Sequence, residues 1–172
     1  MLIMIKEELI MGYGDPLNST NDLKDRSQTD LIARMLYSEA RGESDQGRRG
    51  CGYVVRNRMA KNSSEFGGNS YSGVILKKYS FEGMTTESAL KPDINSTAWK
   101  ECLELAQKFF LNPDSIVNPI GTCLWFVTNS LYKNKIKKSG STESYTFNGR
   151  DYVKVTEKKV IGGHTFFKVQ GY

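Results

Sequence analysis

The chain contains 172 residues, of which 38% are hydrophobic and 11% aromatic, and its formal net charge is +5. This size and composition are typical of one domain with a single core. No apolar run approaches the roughly 18 residues of a membrane span, and a single histidine argues against catalytic zinc. We therefore expect a one-core protein with no membrane span, no metal and no cofactor.

Residues 1–28 are predicted to form a polar N-terminal arm that precedes the main domain, residues 29–172. Apolar side chains within residues 1–11 could form a short strand or helix. Three charges interrupt this stretch, at Lys6, Glu7 and Glu8. Because a secretory signal needs an uninterrupted apolar region, we expect no export signal here.

A pair of helices is predicted on either side of Glu39. Apolar residues spaced by three and four positions predict an amphipathic helix from Thr29 to Tyr37. Its apolar stripe consists of Leu31, Ile32, Met35 and Leu36. Ser44 or Asp45 is suited to cap a second helix that runs through Met59. The two helices are therefore expected to meet at Glu39.

The second helix is unusual in its glycine content. A glycine in a helix interior costs about 1 kcal/mol relative to alanine, so Gly47, Gly50 and Gly52 indicate that a neighbouring backbone or a ligand approaches closely. The predicted inward positions of this helix are Gly47, Cys51, Val54, Val55 and Met59. The cysteines are odd in number and widely spaced, which predicts buried free thiols rather than a disulfide framework.

The remaining elements are a third long helix and several late strands. Asn95 or Ser96 can cap a helix over residues 97–110, and Pro113 ends it. The strands are expected to be a buried one at Trp125–Thr128, a hairpin of Tyr145–Phe147 and Tyr152–Val155 around Asn148-Gly149, and a last one at His164–Val169. Helices first and a small hairpin sheet late indicate an α+β domain.

Four segments in the same order resemble the cell-wall hydrolase family that includes the SleB and CwlJ spore-cortex-lytic enzymes. Residues 31–43, with Gly47 and Val54–Arg58, resemble the opening motif of that family. The later motifs are matched by Tyr79–Met84, Leu124–Asn129 and Gly163–Phe167. Two departures are Ser80, where many relatives have glutamine, and the Gly- and Ser-rich segment Glu65–Gly73.

The resemblance covers about residues 29 to 168 and implies a lysozyme-like fold of the goose-type lysozyme and transglycosylase kind. It implies that residues 29–172 form a catalytic domain that cuts the glycan strands of peptidoglycan, and Glu39 is carried over as its catalytic residue. A transglycosylase of this kind manages with one glutamate, because the 6-hydroxyl of muramic acid attacks the anomeric carbon.

Glu39 has the chemistry that glycoside cleavage requires. Breaking a β-1,4 bond needs a protonated carboxyl, and burial against apolar groups raises the pKa of a glutamic acid. Glu39 is flanked by Leu36, Tyr37 and Ala40, so we predict a raised pKa for its carboxyl. The alternative for Glu39 is a solvated glutamate at a helix end.

A second carboxylate is needed for hydrolysis by inversion or retention, and Glu43, Glu82 and Asp93 are the candidates. For Glu43 an ion pair with Arg41 or Arg48 is the favoured alternative. Arg41 could instead orient Glu39 or hold a carboxylate of the substrate.

Aromatic side chains that suit the apolar faces of sugars form a plausible cleft wall. The predicted substrate-binding residues are Arg41, Glu43, Tyr79, Phe81, Glu82, Trp125, Asn129 and His164. Phe126 is a further candidate, but core positions are favoured for both Trp125 and Phe126. Because side chains alternate along a strand, at most half of residues 125–128 are expected to line a cleft. For His164 a structural role is favoured over a hydrogen bond in the cleft.

Three functions remain open at this point. They are a peptidoglycan-cleaving enzyme, a catalytically inactive peptidoglycan-binding protein of the same fold, and a nucleic-acid-binding module. The last is suggested by a basic cluster at Lys133, Lys135, Lys137 and Lys138, although cell-wall anions would be attracted equally and a solvated loop is another interpretation. Without an export signal, an enzyme would act after phage-type lysis or in a spore, with a lysis-system or spore-coat partner.

Overall fold

A computed structural model of the protein describes residues 12–172. The short strand or helix predicted within residues 1–11 lies outside the described residues. The described part of the predicted arm, residues 12–28, packs on the main domain, because Leu17 and Leu23 are buried in its core. Leu17 also donates its backbone N–H to the carbonyl of Leu90 at 2.9 Å. The boundary at residue 28 stays a prediction.

The helical part of the domain consists of α1 Gln28–Ala40, α2 Asp45–Lys61, α3 Tyr71–Ile75, α4 Glu87–Leu90 and α5 Thr97–Leu111. Short 3-10 helices lie at Thr20–Asp25, Glu82–Thr85 and Pro113–Ser115. The sheet contains β1 Trp125–Thr128, β2 Ile136–Ser139, β3 Thr142–Tyr145, β4 Val153–Ile161 and β5 His164–Val169, and α6 Asn129–Asn134 lies between β1 and β2. These elements form the predicted α+β domain.

The predicted helix pair is confirmed, and side-chain caps fix both of its beginnings. The Ser27 hydroxyl accepts a hydrogen bond from the backbone N–H of Asp30 at 3.2 Å, and Ser44 does the same for Gly47 at 3.2 Å. Such caps satisfy N–H groups that have no partner within the helix. The first helix continues to Ala40, so Glu39 lies within its last turn.

Two of the three glycines of α2, Gly50 and Gly52, are explained by aromatic side chains, not by a backbone or a ligand, whereas Gly47 lies against the side chain of Glu43. A Cβ atom at Gly50 would lie 2.7 Å from Cζ of Phe166, and one at Gly52 would overlap the ring of Phe109. Both rings are fully buried. The glycines therefore let β5 and α5 pack directly against α2, which fixes how the sheet joins the helices.

The sheet is antiparallel and has the strand order β1-β5-β4-β3-β2, so β1 forms one edge. In the pairing of β1 with β5, Phe126 lies opposite Phe166 and Thr128 opposite His164. Phe126 and Phe166 pack into the helical core, whereas Trp125 and Phe167 belong to a second, smaller cluster on the sheet. The edge strand β1 thus lies at the junction of the two parts.

The hairpin predicted around Asn148-Gly149 exists, but the prediction that a two-residue turn connects its strands is wrong. The strands pair only from Tyr145 and Val153 outward, so residues 146–152 form the connection. Asn148 accepts the N–H groups of Arg150 and Asp151 at 2.8 Å each, and this local turn replaces strand pairing. The two-residue connections lie instead at residues 140–141 and 162–163.

The cysteines and the third long helix agree with expectation. Cys51, Cys102 and Cys123 are buried and free, as predicted. Ser96 caps α5, and its hydroxyl accepts the N–H of Trp99 at 3.1 Å. The basic cluster does not lie in a loop, because its lysines belong to the end of α6, the following turn and β2.

Candidate active site

A groove of about 470 Å³ runs between the end of α1 and the edge strand β1. This volume falls in the range of roughly 300 to 1,000 Å³ that is typical of ligand sites. Its ionisable lining residues are Glu39, Arg58, Glu65, Glu82 and His164, together with two tyrosines, and its aromatic wall consists of Phe66, Tyr79, Phe81, Trp125, Phe126, Tyr145, Phe147 and Phe167. Charged groups are thus few and lie among apolar rings.

Glu39 is half-buried at one wall of this groove. The pKa of its carboxyl is raised above the ordinary value of 4.5, chiefly by burial and further by the charge of Glu82. A hydrogen bond from the Gly83 backbone N–H and the positive charge of Arg58 act in the opposite direction. The predicted upward shift is therefore confirmed, and the solvated helix-end alternative for Glu39 is wrong.

The backbone of Gly83 fixes the orientation of the Glu39 carboxyl. Its N–H donates to Oε1 of Glu39 at 2.8 Å. A Cβ atom at this position would lie 2.9 Å from that same oxygen and 2.7 Å from Oγ of Ser38. Only glycine lets the backbone come this close, and the contact leaves the other carboxyl oxygen of Glu39 without this restraint.

Arg58 is the charged groove residue that the sequence reasoning did not single out. It is 5% exposed, and its Nε donates to the carbonyl of Leu124 at 2.8 Å. Burial lowers its pKa to about 10, while Glu65 and Glu39 raise it. A signal was present, because Arg58 continues the apolar stripe of Cys51, Val54 and Val55 at helical spacing. A charge on such a stripe indicates a buried ionic group.

The aromatic wall contains most of the predicted sugar-contacting residues. Phe81 is buried and its ring centroid lies 6.1 Å from that of Phe126. Trp125 is half-buried and packs edge-on against Phe66 at 5.8 Å and Tyr172 at 4.8 Å. Trp125 and Phe126, the two aromatic residues of β1, therefore both pack against other side chains and line the groove.

The expectation that at most half of residues 125–128 would line a cleft is wrong. All four residues of β1 border the groove. The reason is that β1 is an edge strand, so the groove follows its unpaired side and reaches residues that point to either face.

Tyr79 is the most exposed aromatic residue of the groove. Its side chain is 87% exposed, and its backbone lies in the left-handed region with φ of 66°. This conformation is strained for a residue with a side chain. The structure thus holds an aromatic ring in solvent at the groove at an energetic cost.

Arg41, Glu43 and Asn129 do not line the groove. The guanidinium of Arg41 lies over the ring of Tyr37, 5.3 Å from its centroid. The amide of Asn129 donates to the carbonyl of Gly162 at 2.9 Å and accepts from Thr165 at 2.9 Å. These contacts join α6 to the β4–β5 turn and to β5, so Asn129 has a structural role. Their role as sugar contacts gains no support from the fold.

Glu43 faces His164 instead of an arginine. Its Oε1 lies 3.4 Å from Nδ1 of His164, and its Oε2 accepts the Gly163 N–H at 3.2 Å. The predicted ion pair with Arg41 or Arg48 is wrong, because Arg48 pairs with Glu101. Burial lowers the pKa of His164 below its ordinary value, and the charge of Glu43 opposes this effect.

The candidates for a second carboxylate are distributed unevenly. Glu82 lines the groove near Glu39, whereas Glu43 and Asp93 do not. Glu65, which the sequence reasoning placed only in a departing loop, also lines the groove and accepts a hydrogen bond from the hydroxyl of Tyr172.

Two searches for other kinds of site gave no candidate in the described residues. Within residues 12–172, no group of three or more His, Cys, Asp or Glu side chains is placed to hold a metal ion. No helix in the same range has the length and apolar character that crossing a membrane requires.

Comparison with known proteins identifies the class of enzyme. A sequence model of the cell wall hydrolase family matches residues 42–167, which is more than half of the chain, so the chain belongs to this family. The protein is therefore an enzyme that degrades cell-wall material, as the resemblance implied. Glu39 lies three residues before the matched range. No curated protein matches the chain significantly.

One solved structure agrees with this assignment. The chain is similar to the catalytic domain of the germination-specific lytic transglycosylase SleB from Bacillus anthracis, at 25% identity and a TM-score of 0.50. That alignment covers 84% of this chain and 98% of the other. The catalytic domain of the Bacillus cereus SleB protein matches at 24% identity and a TM-score of 0.49, covering 83% and 91%. The implied α+β fold is confirmed by the first comparison.

Proposed function

We propose that this enzyme cleaves the β-1,4 bond between N-acetylmuramic acid and N-acetylglucosamine in peptidoglycan, as a lytic transglycosylase with Glu39 as its catalytic acid. One observation carries the proposal: a glutamate with a raised pKa lies in a groove walled by aromatic rings. Family membership and the similarity to a lytic transglycosylase domain support it.

The orientation of Glu39 suits the first step. Because the Gly83 N–H donates to Oε1, that oxygen is the acceptor and the acidic proton resides on Oε2. Glu39 transfers this proton to the bridging oxygen, the C1–O bond breaks, and the leaving sugar departs as an alcohol. The positive charge that develops at C1 is stabilised by nearby carboxylates, of which Glu82 and Glu65 line the groove.

The second step returns the acid to its starting state. The Glu39 carboxylate removes the proton from the 6-hydroxyl of the same muramic acid, and the 6-oxygen bonds to C1. The product is a 1,6-anhydro ring, and Glu39 is protonated again. No water is consumed, so this route needs no second catalytic carboxylate.

The test is a product assay with matched variants. Peptidoglycan is incubated with the wild type, with Glu39→Gln and with Glu104→Gln, an exposed glutamate that pairs with Lys108 outside the groove. Glu39→Gln should lower the rate by roughly 100- to 10,000-fold, whereas Glu104→Gln should not change it. Mass spectrometry of the products should show anhydromuramic ends.

Two results would count against this proposal. Full turnover by Glu39→Gln would exclude Glu39 as the acid. Reducing ends in place of anhydro ends would indicate hydrolysis, and the variants Glu82→Gln and Glu65→Gln would then identify the second carboxylate. Because the B. anthracis enzyme is described as germination-specific, intact sacculi and spore cortex should be digested side by side to find the natural target.

A further inference from the structure

We propose that Arg58 is an anion-binding subsite within the groove that takes a carboxylate of the muramic acid unit, either its lactyl carboxylate or one on the attached stem peptide. This inference rests on the proposed function, because it names the group of that substrate that the groove recognises. Neither the family match nor the structural comparisons assign a ligand to this arginine.

The guanidinium of Arg58 is held rigidly in place. Its central carbon lies 5.4 Å from the ring centroid of Phe66 and 5.1 Å from that of Phe81. Its Nε is occupied by the carbonyl of Leu124. Aromatic faces on two sides and one hydrogen bond at the base restrict the planar group to one orientation.

The far edge of this guanidinium has no partner among residues 12–172. Nη1 and Nη2 make no hydrogen bond to the described residues, and no carboxylate oxygen lies within 4.0 Å of them. The two nitrogens are not sealed inside the protein, and Arg58 lines the groove. They are therefore the donors that this buried cation presents to a groove occupant.

The acidic neighbours of Arg58 do not use these donors. Glu65 and Glu39 both act on it through space, but Oε1 of Glu65 bonds to the hydroxyl of Tyr172 and Oε1 of Glu39 to the N–H of Gly83. A buried charge without a close counter-ion is costly unless a ligand supplies one. Arg58 is the only Lys or Arg side chain in the described groove lining, so an anionic ligand group would bind there.

Substrate chemistry identifies the group. The two sugars of the glycan strand differ in a lactyl ether on muramic acid, whose carboxyl group is free where the peptide is absent and is an amide where a stem peptide with its own carboxylates is attached. Two parallel N–H donors of a guanidinium match the two oxygens of a carboxylate. Arg58 would thus distinguish muramic acid from N-acetylglucosamine and set the register of the strand relative to Glu39.

Binding measurements in the Glu39→Gln chain test this inference without turnover. Calorimetry compares three ligands: an oligomer of N-acetylglucosamine alone, a glycan fragment with its peptides removed, and the same fragment with stem peptides. The fragments that carry carboxylates should bind roughly 10- to 100-fold more tightly than the N-acetylglucosamine oligomer. Adding Arg58→Met should abolish this preference and leave the affinity for that oligomer within about twofold.

Further variants and the choice of fragment show which groups of the protein and of the ligand cause the preference. Arg58→Lys keeps the charge but not the paired donors, so it should retain part of the preference. Arg49→Met, which removes an arginine of the same helix outside the groove, should retain all of it. Preference for the peptide-free fragment indicates the lactyl carboxylate, and preference for the peptide-bearing fragment indicates the stem peptide; either supports the subsite.

Failure of the proposed function and failure of the Arg58 subsite would give different results. If none of the three ligands binds, the proposed function fails. If all three bind equally, or if Arg58→Met keeps the preference, the subsite is overturned while the function stands. Should Arg58→Met fail to fold, the Nε–H resonance of Arg58 in the Glu39→Gln chain decides. It should shift on addition of N-acetylmuramic acid and not of N-acetylglucosamine, and an equal response to both would overturn the subsite.

Discussion

Two buried arginines, Arg34 on α1 and Arg58 on α2, differ in how many partners the protein gives them. Arg34, in the middle of α1, is completely buried, and its Nε donates to Asp30 at 2.7 Å. Its terminal nitrogens donate to the carbonyls of Ala89, Leu90 and Asp15 at 2.8, 3.0 and 2.6 Å. Arg58, on α2 and in the same groove as Glu39, has a single acceptor among residues 12–172, the carbonyl of Leu124.

This difference distinguishes an arginine that holds the fold together from one that can bind a ligand. Arg34 joins three segments of the chain, and each of its three guanidinium nitrogens donates to a protein oxygen, so the group is occupied by the fold. Arg48 is similar, since it bonds to Glu101 and to the carbonyl of Arg41 at 2.6 Å. Arg58 is equally inaccessible along its stem but keeps its outer donors open to the groove. The number of unused donors, more than burial, indicates where a ligand binds.

The largest effect is expected on stability, when each arginine is replaced by methionine. Arg34→Met should lower the free energy of unfolding by about 3–5 kcal/mol, because it breaks a buried ion pair and removes a donor from three carbonyls, of which that of Leu90 keeps the Leu17 N–H. Arg58→Met should change it by about 1 kcal/mol or less, because an apolar side chain relieves an uncompensated buried charge. Urea unfolding of both variants measures the difference, and equal losses would refute the distinction.

The next effect concerns pH and Glu39. Because its pKa is raised above 4.5, the folded chain keeps this proton to a higher pH than the unfolded chain. Its contribution to stability is present at low pH and declines as the pH rises from the ordinary value through the raised one. Catalysis by the acid form should likewise fall by about tenfold per pH unit above the raised pKa.

Two measurements check this sign. A pH series of unfolding free energies for the wild type and Glu39→Gln should differ in slope above pH 4.5, with the variant lacking this decline. The pH dependence of single-turnover cleavage should show the same pKa. A rate that rises through that pH range would instead assign Glu39 as a base in the first step.

A smaller effect is expected at Tyr79, a strained residue that lines the same groove as Arg58. Tyr79→Gly relieves a left-handed backbone at a side chain that is 87% exposed, so stability should stay constant or rise by up to about 1 kcal/mol. Affinity for glycan fragments should fall by roughly two- to tenfold through the lost ring. Tyr79→Phe is the control and should keep both values, whereas unchanged affinity of Tyr79→Gly would exclude stacking at this position.

The sequence predicted the elements that local chemistry controls. Apolar spacing located α1, and capping residues with apolar spacing located α2 and α5, each to within a few residues, while the aromatic strand and last strand began and ended where expected. The glycines of α2 correctly indicated a close approach. Glu39 was found because its motif and its apolar flanks are contiguous in the chain.

The sequence did not show which side chains approach those glycines, or which polar groups contact one another. Phe166 reaches Gly50 and Glu43 faces His164 across more than a hundred residues, and such partners depend on how β5 packs on α2. The lining of the groove by all of β1 followed from its edge position in the sheet.

The sequence by itself thus determined the three long helices, the α+β class and the candidate acid, because each is encoded in neighbouring residues through spacing, capping and flanking apolar groups. Tertiary structure alone decided that Arg58 and Glu65 share a groove with Glu39 and that Arg41, Glu43 and Asn129 lie outside it. The physical reason is that the pKa of a carboxyl and the availability of a guanidinium depend on burial and unused hydrogen bonds, which exist only when distant segments pack together.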